Sequence, residues 1–276
     1  MSESLFHTVP DGTQIHIKKF KAPSQSRAGS ILHIHGFAEH CGRYDHHWQL
    51  VSQAGFDLLT FDLRGHGRST GKRNIIADWN QLVSDVQHIV EIEKSFLGEK
   101  YFVFGHSTGG AIATTCLFKN VIAPKAVILS APAIRAGRAI PLWGKIASPI
   151  LGKLAPWLVL PPTYGEEVLT TVKAEQEKAH HDPLMFSKTS PTNYVRIFGA
   201  GRWNLEQVHL WNCPLFLMFG EQDELIDPSA MKEFYAKVQV DEKEMWSDPE
   251  SRHELLFDVH AGQARQKIIE WFKQFA

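Results

Sequence analysis

The sequence predicts an α/β protein: a mostly parallel sheet flanked by helices, with a helical segment inserted between two of its strands. Three observations carry this. Five short apolar runs lack polar alternation, as strands covered on both faces do: SILHIHG (30–36), FDLLTFD (56–62), YFVFGHS (101–107), KAVILSAP (125–132) and CPLFLMFG (213–220). Helical patterns separate them, and strands alternating with helices imply right-handed crossovers. The alternation then breaks between about 133 and 210, a stretch holding seven of the fourteen prolines and three of the eight tryptophans.

Each element has a local reason. Residues 1–22 alternate around Asp11-Gly12, the pattern of an opening hairpin. WQLVSQA (48–54) reads as a helix. The clearest helix is 79–96, where Leu82, Val86, Ile89, Val90 and Ile92 share one broad face. GGAIATTCLFKN (109–120) opens directly after the third strand, and 229–238 and 261–275 supply the last two helices. Residues 1–132 and 211–276 therefore form the expected core domain, with 133–210 as a cap.

Composition narrows the function. The 276 residues are 43% hydrophobic and 21% charged, ordinary for a globular domain. A net charge of −1 favours neither nucleic acid nor a strongly charged partner. Cys41, Cys116 and Cys213 are odd in number and widely spaced, which argues against a disulfide framework or a zinc site and for a reducing compartment. The opening MSESLFHTVPDGTQ lacks the features of a secretory signal, and no apolar run reaches about 18 residues, so a cytoplasmic protein is expected.

The chemistry centres on Gly105-His106-Ser107-Thr108-Gly109, a G-x-S-x-G between a strand and a helix. That context is a nucleophile elbow and predicts an α/β-hydrolase fold. A serine on a sharp strand-to-helix turn projects its hydroxyl above the sheet, and the following helix N-terminus offers unpaired N–H groups to an oxyanion. A serine hydroxyl needs a base, and the base needs an acid. In this fold the chain order is Ser, acid, His. Asp223 is the expected acid, because it follows the strand LFLMFG; Glu221, Glu224 and Asp227 are its competitors. His253, in a turn-rich loop before the last helix, is the expected base, and His260 reads as a surface or cap residue. The oxyanion hole is assigned to the backbone N–H groups of Thr108 and of Phe37, which follows His35-Gly36.

Taken together, HGFAEHCGRYD (35–45), FDLRGHGRSTG (61–71), GHSTGG (105–110), the acid after a late strand and SRHELL (251–256) resemble the monoacylglycerol lipases and their bacterial lysophospholipase-like relatives. The resemblance implies a single-chain lipid ester as substrate and no metal or organic cofactor. It also places Glu39 and Arg43 at the polar end of the site, around the glycerol headgroup, with His106 beside them. A second reading makes Glu39 and Arg43 an ion pair bracing the oxyanion loop. Asp62, Arg64 and His66 read as scaffold. Mammalian members carry a second histidine three residues after the catalytic one, where this chain has Leu256. The cap matches only through His181-Asp182-Pro183-Leu184.

Within the cap, 140–162 is apolar but broken by Lys145, Lys153 and its prolines. Read as amphipathic helices it lines an acyl tunnel, with an outer face able to touch a lipid surface; the alternative reading is packing of the cap against the core. The alternatives within enzymes are a lysophospholipase or a short-chain carboxylesterase. Outside enzymes, the alternative is a catalytically silent receptor on the same scaffold. The sequence leaves the oligomeric state open.

Overall fold

The computed structural model describes residues 2–23, 27–161 and 164–276. Pro162, the end of the predicted apolar cap stretch, lies outside the described residues, as does Met1. The chain opens with β1 (Ser2–Thr8), β2 (Gln14–Phe20) and β3 (Gly29–Ile34), then α1 (Asp45–Gln53) and β4 (Phe56–Phe61). There follow α2 (Trp79–Ile92), the short α3 (Lys94–Leu97), β5 (Phe102–His106), α4 (Thr108–Phe118) and β6 (Val127–Ser130). After β6 come α5 (Leu142–Leu154), α6 (Lys173–His181) and α7 (Pro191–Glu206). The fold closes with β7 (Leu215–Gly220), α8 (Pro228–Lys237), β8 (Lys243–Asp248) and α9 (Ala261–Gln274).

Among the described residues the strands form one eight-stranded sheet in the order β1-β2-β4-β3-β5-β6-β7-β8. The β1–β2 and β2–β4 pairs are antiparallel, and the remaining pairs are parallel. Alternate residues of the central strands feed two apolar layers. Leu32, Ile34, Leu59 and Phe61 face the layer of α2, α4 and α8, whereas Ile31, Phe56 and Leu58 face that of α1 and α9. Helix starts are capped: Asp78 accepts from Asn80 N, Ser190 from Thr192 N and Asp227 from Ser229 N, with Pro191 and Pro228 in the first turns.

Three features depart from the sequence expectation. The helix expected over 79–96 is split at Glu93 into α2 and α3. The edge strand β8 was not foreseen, because KEMWSD is half-exposed and shows no clean alternation. The crossover from β6 to β7 is closed by α7, which lies against α4: Asn204 donates to Ala111 O at 2.9 Å and accepts from Thr115 Oγ1 at 3.0 Å. The parallel strands β3, β5, β6, β7 and β8 end on one edge, so the loops after them share one rim, where ligand sites of such sheets lie.

Candidate active site

Ser107 alone connects β5 to α4, with φ +51° and ψ −118°. A non-glycine residue in this region is strained and persists only if its surroundings hold it. Here Ser107 N donates to Ser130 O at 2.9 Å, and Ser107 O accepts from Ala133 N at 3.0 Å and Ala111 N at 3.1 Å. The sharp turn drives α4 onto the end of β3. A Cβ at Gly109 would stand 2.1 Å from Ile34 O and 2.4 Å from His35 O, so only glycine fits there. The same approach brings Gly36 beside the nucleophile, where a Cβ would lie 3.1 Å from Ser107 Cβ.

The loop after β3 is held from several sides. Leu63 N donates to His35 Nε2 at 2.9 Å, so the ring proton sits on Nδ1, which donates to Gly36 O at 2.7 Å. Burial, and then the neighbouring His66, lowers the His35 pKa to about 3 and keeps the ring neutral. In a trans peptide the Phe37 N–H points opposite to the Gly36 C=O, so fixing that oxygen aims the amide. Among the described residues the Phe37 N–H has no acceptor. Thr108 is the first residue of α4, and its N–H has no intrahelical partner.

Glu39 accepts through Oε1 from Gly36 N and from Tyr44 Oη at 2.9 Å, and through Oε2 from Arg43 Nη1 at 2.9 Å. Arg43 also donates to both oxygens of Glu254, at 2.7 and 2.8 Å, and lies over the Phe257 ring. Farther back, Asp62 accepts from His16 Nδ1, Cys41 N and Arg68 N at 2.8 to 2.9 Å. The His16, Cys41 and Asp62 ligand atoms lie within 4.8 Å of one another. Asp62 is already committed to these three donors, and burial first, then Asp62, pushes the Cys41 thiol pKa up. The trio ties β2 to the loops after β3 and β4 and does not suit a metal.

Asp223, in the loop after β7, is buried and accepts through Oδ1 from Leu225 N at 2.8 Å and Ile226 N at 2.9 Å. Its Oδ2 meets His253 Nδ1 at 2.7 Å. The competing acids are engaged elsewhere: Glu221 with Lys232, Glu224 with Arg138, and Asp227 with Ser229 and Arg135. Burial opposes a charge on His253, but Asp223 and then Glu254 and Glu39 outweigh it, and the imidazole pKa lies above its ordinary value. His106, whose ring centroid is 4.9 Å from that of His253, is held neutral by burial and by His253. His260 stands at the start of α9, where its ring bonds Asp248 at 2.9 Å and makes no capping bond to the helix.

Phe37, Glu39, His106, Ser107, Thr108 and His253 all line one cavity of about 790 Å³. Asp223 stands behind His253, and Arg43 stands behind Glu39 and Glu254. Leu256, where mammalian members carry a second histidine, is buried in the core with Leu255 and Phe257 and does not line the cavity. Glu254, which does line the cavity, and Tyr44, which holds Glu39, were not singled out by sequence. Leu160, Leu169, Ile197 and Phe198 add apolar wall, as do Ile140 just before α5 and Trp143 within it.

The fold and this rim define an α/β-hydrolase. Comparison with known proteins goes further. Residues 25–260 match the family described as serine aminopeptidase, S33 (Hydrolase_4). The mouse monoglyceride lipase is 31% identical over 232 residues, covering 82% of this chain and 75% of its own. The monoacylglycerol lipase of Mycolicibacterium smegmatis is 28% identical over 258 residues, covering 90% and 89%. Among solved structures, the Paleococcus ferrophilus monoacylglycerol lipase superposes with a TM-score of 0.84 at 25% identity, covering 95% of this chain and 99% of that one. The Saccharomyces cerevisiae monoglyceride lipase, crystallised with a substrate analogue, shares the fold with a TM-score of 0.89, at 21% identity and with coverage of 100% and 95%. The chain belongs to this family of α/β-hydrolases, and it is a serine ester hydrolase of monoacylglycerol lipase-like type.

Proposed function

We propose that the protein hydrolyses monoacylglycerols to glycerol and fatty acid through an acyl-enzyme on Ser107. One observation carries the reading: Ser107, His253 and two unpaired backbone amides line one largely apolar cavity, with Asp223 bonded behind His253. About 790 Å³ is within the usual range for a small-ligand site. His253 takes the Ser107 proton as the oxygen attacks the ester carbonyl, and Asp223 steadies the imidazolium. The Phe37 and Thr108 amides receive the oxyanion. His253 then passes the proton to the departing glycerol, and water activated by His253 releases the acyl chain. Glu39, Arg43 and His106 frame the headgroup end, with Arg43 acting from behind the wall.

The family description also names aminopeptidases, and the cavity disfavours that chemistry. A free α-amine calls for an uncommitted carboxylate. The carboxylates lining this cavity are engaged: Glu39 and Glu254 by Arg43, Asp182 by His40 and Glu166 by His180.

Residues 133–210 act as the cap in this proposal, and α5 is its lipid-facing part. Among the described residues no helix is long and apolar enough to cross a membrane. Yet Leu142, Trp143, Ile146, Ile150 and Leu154 of α5 are 57 to 72% exposed, an apolar stripe at helical spacing, and Trp157 just beyond it is exposed too. Such a face suits a helix lying on a lipid surface, where the cavity beside Trp143 can take up its substrate.

The reading is tested with a panel of monoacylglycerols, lysophospholipids and p-nitrophenyl esters, together with Ser107→Ala. Monoacylglycerol is expected to give the highest kcat/KM, and Ser107→Ala is expected to abolish turnover and fluorophosphonate labelling. Undiminished turnover in that variant would falsify the mechanism, and preference for another ester class would replace the substrate.

A further inference from the structure

We propose that Glu254 is a positioning residue: through Arg43 and Glu39 it locks the oxyanion loop to the loop that carries His253. The inference rests on the ester-hydrolase reading above. A continuous path connects the two loops. Glu254 follows His253 in the chain and takes a two-pronged bond from Arg43 at 2.7 and 2.8 Å. Arg43 Nη1 also reaches Glu39 Oε2 at 2.9 Å, and Glu39 Oε1 accepts the Gly36 N–H. Gly36 forms the peptide that bears the Phe37 amide. The donor and the base are therefore anchored to one guanidinium, although Arg43 and Glu254 are 211 residues apart in sequence.

The charge count shows that the group is more than a brace. Side-chain exposures of Arg43, Glu39 and Glu254 are 8, 3 and 4%. Two carboxylates share one guanidinium in the interior, where burial first and Glu254 in part push the Glu39 pKa up while Arg43 opposes them. A buried ion group gains little stability over an apolar one. The carboxylates lie where they are useful, because His253 becomes a cation as Ser107 attacks. Around His253 stand Asp223 from the loop after β7, His106 from β5, Glu39 and Arg43 from the oxyanion side, and Glu254 from its own loop. Glu254 and Glu39 act in the same sense as Asp223, favouring the imidazolium. Because both carboxylates are occupied by Arg43, Gly36 and Tyr44, they shape and charge the site without needing a bond to substrate.

The test is Glu254→Gln in the full chain, assayed with a p-nitrophenyl ester for kcat and KM as a function of pH, with melting temperature measured in parallel. The expected result is a fall in kcat of about 10- to 100-fold with KM within about threefold, the signature of a misplaced transition-state donor. The acid limb of kcat/KM is expected to move to lower pH, because a negative charge has left the surroundings of His253. Glu39→Gln should act in the same direction, and the double variant should be little worse than the worse single one, since both cut one path. Should Glu254→Gln fail to fold, Glu39→Gln carries the same readouts, since it leaves the two-pronged pair whole. An unchanged kcat and acid limb, with only a lower melting temperature, overturns the clamp and leaves a structural brace. A raised KM for monoacylglycerol beside unchanged kinetics on the p-nitrophenyl ester overturns it in favour of a headgroup contact. A wild-type chain that is neither labelled by fluorophosphonate nor active overturns the clamp along with the reading it rests on. A labelled, active wild type beside a normal Glu254→Gln overturns the clamp alone.

Discussion

Asp223 has both carboxylate oxygens engaged: two backbone amides hold one, and His253 takes the other. Such a carboxylate fixes the tautomer of the imidazole as well as its charge, leaving Nε2 free to act as base. Asp223→Asn is therefore expected to lower kcat by about 10⁴-fold, the scale seen when a triad acid is neutralised and the wrong tautomer forms. The same exchange at Glu221 or Asp227 should have little effect, as both serve ion pairs and a cap away from His253; a larger loss at either would move the assignment. The pH profile follows from the same contact. The His253 pKa is raised above the ordinary 6.5. The base works only when neutral, so kcat/KM should rise with pH through a value above 6.5 and fall below it. In Asp223→Asn, burial is no longer opposed by that charge, and the residual acid limb should shift downward. A limb that stays in place would mean another group sets the profile. The pairing of Asp223 and His253 was legible because chain order and strand ends constrain both. The role of Glu254 was not, because its partner Arg43 comes from the far end of the sequence.

The elbow depends on an approach of backbone to backbone. α4 starts one residue after β5 and presses on the end of β3 at Gly109, with all of its residues buried. Sequence made this arrangement readable, since an apolar strand run, a glycine-flanked serine and a helix-forming stretch follow without a gap. It did not reveal the edge strand β8, whose exposed side chains lack an apolar signature. Nor did it fix the break at Glu93, which is drawn to His7 and Lys19 of the opening hairpin by contacts more than 70 residues distant in sequence. Gly109→Ala tests the contact directly. The added Cβ meets Ile34 O at 2.1 Å and His35 O at 2.4 Å, both immovable without shifting β3. Overpacking of this kind costs about 1–3 kcal/mol, so a lower melting temperature is expected. Because His35 leads into Gly36 and Phe37, the shift also pulls the oxyanion donor from Ser107. Specific activity per folded molecule should therefore fall as well. A variant that melts early yet keeps full activity would show that the donor is placed independently of α4.

At the scale of the molecule, apolar periodicity has two opposite meanings, and sequence alone does not separate them. In α2 the apolar face is buried against the sheet, whereas in α5 no residue is buried and the apolar stripe faces outward. The difference lies in tertiary placement: α5 lines the cavity through Trp143, Gly144 and Ser148, and α2 packs against the sheet. In the lipid-docking proposal, an outward stripe on a chain of net charge −1 would dock by apolar burial and not by attraction to anionic lipid. Ile146, Ile150 and Leu154 belong to the stripe but not to the cavity wall, so they separate docking from chemistry. Partial burial of each in the interface contributes about 1 kcal/mol, less than the full transfer value. Exchanging all three for serine should then weaken partition onto neutral phosphatidylcholine vesicles by about 100-fold, with little dependence on salt. Turnover of a soluble p-nitrophenyl ester should stay near the wild-type rate, while hydrolysis of vesicle-borne monoacylglycerol should fall with the partition. Cosedimentation with vesicles, measured beside both assays, decides the matter. Equal binding of the variant and the wild type would mean that the stripe meets something other than lipid.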